Sequence, residues 1–212
     1  VKYFKGLFQM LQYFHNEKNF RGVDNLLIKL YSPVIWRSLK CNNALVRAQA
    51  TTLFCDVFPL RANNTTAAED DDTMQKHFNM FSILLKDSDH RVRGSAVTGI
   101  CKVLRDYWEP IPLAIATTIL SYMTNYLSKD TGSANVRVAV VSGMRMLLKQ
   151  CPLSIESLKV LLPQLSHSLN DTSEKVRLEF IHLLIEVVVL VGCWFDQLFV
   201  SCNSCECCVL IK

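Results

Sequence analysis

The densest concentration of metal-binding side chains lies at the carboxyl end, where Cys193, Cys202, Cys205, Cys207 and Cys208 fall within the final twenty residues. Cys202-x-x-Cys205 has the spacing of half a zinc site. No second spaced pair and no histidine follows, and adjacent Cys207 and Cys208 cannot readily complete a tetrahedron with the first two, so no metal is expected. The other thiols, Cys41, Cys55, Cys101 and Cys151, sit mostly in helical positions, as buried free cysteines do in a reducing compartment. His15, His77, His90, His167 and His182 are dispersed, and each reads as a surface or core residue. No Gly-rich phosphate loop, His-x-x-x-His pair or Gly-x-Ser-x-Gly elbow is found. The sequence offers no catalytic, cofactor or metal constellation, and no enzyme or small-molecule substrate is expected.

The remaining chemistry is cationic. A Val-Arg pair opens four apolar stretches, Val46-Arg47, Val92-Arg93, Val136-Arg137 and Val176-Arg177, at spacings of 46, 44 and 40 residues. That period belongs to helical-hairpin repeats. A fixed place in the repeat argues for a structural ladder, in which Arg47, Arg93, Arg137 and Arg177 reach acidic or carbonyl groups such as Asp87 or Asp171 across repeats. The candidate contacts for DNA or a charged partner lie farther along: Lys102 and Arg105 in one stretch, Arg145 and Lys149 in the next. Arg105 and Lys149 are equivalent, each thirteen residues after its repeat's Val. Facing one groove, these side chains would meet phosphates or a charged peptide.

The elements that must position these residues follow the same period. Leu39, Leu85 and Leu169 stand seven residues before a Val, and Leu127 stands nine before because its turn carries Thr131, Gly132 and Ser133. The segments between are short, polar and rich in capping residues, so each unit reads as an A helix, a tight turn and a B helix. The B helices carry an i, i+4, i+8 apolar stripe, from Val46, Ala50 and Phe54 to Val176, Phe180, Leu184, Val187 and Val188. Pro33 and Pro163 each precede an A-helix Leu by six residues, which predicts a shared kink. The fold class expected is all-α, an α-α superhelix in which residues 23–188 form about four hairpins. Residues 1–22 read as a helix of a preceding repeat, consistent with a piece of a longer protein, and residues 189–212 as a divergent, apolar, Cys-rich tail.

Of the 212 residues half are hydrophobic, the formal net charge is +4, and no stretch before residue 180 resembles a bilayer span. Glu186 and Asp196 stand against a span in the tail. Residues 1–60 hold eight Lys or Arg against three acidic residues, which favours a polyanion or acidic partner at that end. Residues 63–73, rich in Thr and Asp, are expected to be an acidic flexible loop open to an acid-directed kinase.

The stretches Leu39 to Phe58, Leu85 to Leu104, Leu127 to Leu148 and Leu169 to Val188 together resemble the HEAT-repeat family, with departures where Cys41 replaces the turn acid and where Pro59 breaks the rhythm. More narrowly, Leu45 to Leu60, the acidic segment after it and Ser168 to Arg177 look like the G-type non-SMC HEAT subunits of the condensin II complex. That resemblance implies a nuclear, chromosome-associated, non-catalytic scaffold. Its implied partners are the kleisin and SMC subunits and duplex DNA or chromatin, and its implied role is mitotic chromosome condensation in cell division. After about Glu186 the likeness stops. The alternative is a generic protein-interaction scaffold, of the transport-receptor or phosphatase-scaffold type, without DNA binding.

Overall fold

The computed structural model describes residues 2–18, 20, 22–60 and 66–191. The cysteine-rich tail, with its zinc-spaced pair, lies outside the described residues. The fold class is all-α, a helical repeat of the solenoid type built from α1 (Lys2–Asn16), α2 (Val23–Tyr31), α3 (Ile35–Ser38), α4 (Ala44–Asp56), α5 (Ala67–Leu85), α6 (His90–Asp106), α7 (Leu113–Asn125), α8 (Ala134–Gln150), α9 (Ile155–Leu161) and α10 (Glu174–Val191). Short 3-10 segments extend A-type helices at Leu127–Lys129 and Leu162–Asn170. The chain divides into two compact units, residues 1–103 and 104–212.

In the second unit α8 and α10 pack against each other, joined by α7, α9 and the 3-10 segments. The B-helix stripe supplies the core there: Val136, Val140, Met144 and Leu147 are fully buried, as is Val176. Spacing of three and four residues puts them on one face, and burying each aliphatic side chain contributes about 1.5–3 kcal/mol. Val188 leaves the stripe at 45% exposure. The last A-type helix departs from α geometry after Leu161, where Pro163 has no amide hydrogen to continue the ladder of bonds. Leu162, Leu165 and Ser168 then take the buried positions at the three-residue period of a 3-10 helix, leaving Leu169 only partly buried. Pro33 interrupts the first A helix in the same way, between α2 and α3.

In the first unit the core is aromatic. Phe54 on α4 stacks on His77 of α5 at 5.2 Å, and Trp36, Phe58 and Phe81 pack edge-on or tilted around them. Val46 is 37% exposed, so the stripe of this repeat begins at Ala50. The expected loop over 63–73 is corrected: among its described residues a helix starts at Ala67. Thr66 and Glu69 form a reciprocal capping box, the Thr66 hydroxyl accepting from the Glu69 amide and the Glu69 carboxylate accepting from the Thr66 amide at 2.8 Å. Glu69 and Asp70 lie in the first turn, where carboxylates favour the positive end of the helix dipole.

At Gly99, α6 lies tight against Cys55 of α4. A Cβ at that position would lie 2.6 Å from Cys55 Sγ and 2.7 Å from Cys55 Cβ. Gly99→Ala is expected to destabilise the chain by about 1–3 kcal/mol in chemical denaturation, the usual cost of overpacking. Adding Cys55→Ala removes the sulfur but leaves the Cβ contact, so it recovers part of the loss. Burial pushes the Cys101 thiol up to about 12 and the Cys55 thiol higher still. Both behave as inert core residues.

Candidate functional site

The four Val-Arg arginines repeat one local bond. Each sends Nη1 back to the carbonyls of its own turn: Arg47 to Cys41 O at 2.8 Å, Arg93 to Asp87 O at 2.8 Å, Arg137 to Asp130 O at 2.7 Å and Arg177 to Asp171 O at 2.7 Å. Turn carbonyls just beyond the end of each A helix thereby receive a charged donor. Because the acceptor is backbone, Cys41 serves where the other three turns have Asp.

Two of these arginines also reach the next repeat with matching geometry. Arg47 donates from Nε and Nη2 to Asp87 at 2.8 Å each, and Arg137 donates from the same pair of nitrogens to Asp171 at 2.7 and 2.8 Å. Each aspartate uses Oδ1 a second time, accepting from a turn amide, Asp89 N in one case and Ser173 N in the other. A planar guanidinium meets a carboxylate as a two-pronged fork, which a lysine cannot reproduce. Burial works to raise Asp87, but the Arg47 bonds and the Asp89 amide outweigh it and hold the carboxyl below its usual range. Asp171 is lowered chiefly by its bond to Arg137.

The four candidate contact residues all sit beside carboxylates or polar groups. Lys102 Nζ is 4.0 Å from Asp56, and Arg105 forks onto its neighbour Asp106 at 2.6 and 2.9 Å while reaching Gln150 at 3.2 Å. Arg145 meets Glu179 at 2.9 Å and Lys149 meets Glu186 at 3.4 Å. Lys149 is the most open of the set, its side chain 59% exposed. The acidic partners were missed in the sequence, yet a signal for one exists: Arg145 to Glu179 spans 34 residues, the same offset as Arg137 to Asp171. Among the described residues no group of three or more His, Cys, Asp or Glu could hold a metal ion, and no helix is long and apolar enough to cross a membrane.

Hairpins of this period, each with an arginine that closes its own turn and two of them gripping the turn acid of the following unit, define a HEAT-repeat protein. Residues 1–62 match the family model described as condensin II non structural maintenance of chromosomes subunit. The chain is 42% identical over 179 residues to condensin-2 complex subunit G2 of Danio rerio. It is 41% identical over 180 residues to the subunit of that name in Homo sapiens and 41% over 179 residues to that in Mus musculus. Each match covers 84% of this chain and 16% of the relative, so the chain corresponds to about a sixth of their length. No solved structure matches it significantly. Over the matched residues the chain is a homologue of condensin-2 complex subunit G2.

Proposed function

We propose that the chain is a non-catalytic HEAT-repeat scaffold segment of condensin II, with residues 23–188 as the working array, acting on chromosomes in the nucleus. The observation that carries this reading is the 42% identity to a condensin-2 G2 subunit across 84% of the chain. In that role the array contacts the kleisin subunit, assembles with the SMC subunits and approaches duplex DNA during mitotic chromosome condensation. Of the candidate contacts Lys149 and Lys102 are best suited to phosphate. Their side chains are 59% and 45% exposed and their ammonium groups lie at 3.4 and 4.0 Å from their carboxylates, which leaves them open to a phosphate. Arg105 is tied to Asp106 and Arg145 to Glu179, which favours the second reading, a protein-interaction scaffold that does not bind DNA.

A pull-down from mitotic extract with the chain as bait is expected to recover condensin II subunits, and their absence sinks the proposal. For the DNA component, the chain should bind a labelled duplex at low salt. The double variant Lys102→Ala/Lys149→Ala should bind more weakly, with a salt slope shallower by roughly one per phosphate contact removed. Equal binding by the variant would reassign the DNA contact to other residues, and no binding by either would select the scaffold reading.

A further inference from the structure

The first A helix carries two parallel lines of residues that continue across Pro33. Leu27, Tyr31, Ile35 and Leu39 are buried, at 3%, 6%, 3% and 2% exposure, and pack inward. One position earlier, Leu26, Leu30 and Val34 form a second line that is 49%, 47% and 54% exposed. The outer side of a packed helix is ordinarily polar, so three large aliphatic residues in register there form an apolar strip facing water. Lys29 and Arg37 flank the strip and are themselves exposed, Arg37 being oriented by its bonds to Pro33 O at 2.8 and 3.1 Å. From Asn25 to Cys55 the sequence contains no acidic residue.

We propose that this strip, Leu26, Leu30 and Val34 edged by Lys29 and Arg37, is a docking surface for an acidic amphipathic helix of a partner protein. The apolar line is about 12 Å long at the helical rise, the span of an i, i+4, i+7 or i, i+4, i+8 set of side chains on an incoming helix. The two flanking cations supply charge complementarity and call for Asp or Glu beside that set. A nucleic acid would pair with the cations but would leave three aliphatic side chains facing phosphate and water, which does nothing for affinity. This surface is made of residues other than the basic ones of α6 and α8 and does not depend on their role.

The test is a selection of displayed 16-residue peptides on the full chain, followed by fluorescence titration of those enriched. Enriched peptides are expected to combine apolar residues at helical spacing with a surplus of Asp and Glu. Their affinity should fall at least tenfold for Leu30→Glu and for Lys29→Glu/Arg37→Glu, while both variants keep the wild-type circular dichroism and melting temperature. A milder Leu30→Ala/Val34→Ala variant, expected to lose about fivefold, covers the case in which a charged substitution disturbs folding. Failure to enrich any peptide, enrichment of basic or neutral ones, or unchanged binding by all variants would overturn the proposal. So would strip-dependent binding of duplex DNA or of anionic lipid vesicles in place of peptide. Concentration-dependent self-association abolished by Leu30→Glu would overturn it too, by assigning the strip to a second copy of the chain.

Discussion

Replacing Arg137 by Ala lowers the unfolding free energy of the chain by roughly 3 kcal/mol, the low end of the range for breaking a buried ion pair. The side chains of Arg137 and Asp171 are 13% and 8% exposed, so solvent screens their interaction weakly and added salt should change the loss little. Truncation strands three groups at once: both oxygens of Asp171 and the carbonyl of Asp130 lose a charged donor. Arg137→Lys keeps the charge but not the fork, and is expected to lose about half as much. Removing both partners, in Arg137→Ala/Asp171→Ala, should cost less than the sum of the single changes, because neither leaves the other's charge buried. Urea denaturation of the four proteins measures this, and a loss below about 0.5 kcal/mol for Arg137→Ala would show the ladder to be ornamental.

Acidification should weaken the first unit before Asp87 titrates, against an opposing contribution from Asp56, which burial raises. His15 is buried, with Nε2 2.8 Å from the Tyr31 hydroxyl, and burial together with the Lys18 charge lowers it to about 4. His77 donates from Nδ1 to Thr73 O at 2.7 Å, and burial among the aromatic rings lowers it as well. A histidine whose folded value lies below its unfolded value binds its proton more readily when unfolded. Its stabilising effect is therefore fully present above about pH 6.5 and declines as the pH falls toward the folded value. For His15 the fall from pH 7 to pH 5 amounts to roughly 1–2 kcal/mol, with His77 adding to it. Asp87 and Asp171 follow the same sign at lower pH, because their folded values are lowered too. Lowered in the fold, they stabilise it above the ordinary carboxylate value of about 4 and give that stability up only below it. Denaturation at pH 7 and pH 5 should show the early decline in the wild type and a smaller one in His15→Gln. Equal stability at the two pH values would contradict this account.

The repeat was legible because its period and its anchors are coded by residue type: an aliphatic every third or fourth position, polar turns and the Val-Arg pair. The capping box at Thr66 and Glu69 is also written in the sequence, but the run of acids around it suggests a loop by composition, although acids belong in a first turn. The 3-10 stretch at Leu162–Asn170 was hidden because periods of three and 3.6 coincide over two turns, and only the partial exposure of Leu169 separates them. The partner of Lys149 escaped the reading for a different reason. Which carboxylate faces it depends on how α8 lies against α10, a tertiary fact that no local pattern encodes. His77 likewise looked like any dispersed histidine until Phe54 and Trp36 closed around it.

The double duty of Asp87 and Asp171 also governs how genes for such arrays change length. Each carboxylate braces its own turn and receives the arginine of the unit before, in the same atomic arrangement. A recombination event that sets one of these arginines against a turn of the Asp87 or Asp171 type therefore closes the joint without any new mutation, whereas a turn of the Cys41 type offers it no carboxylate. An event that cuts inside a period leaves a guanidinium and a carboxylate both stranded at the seam.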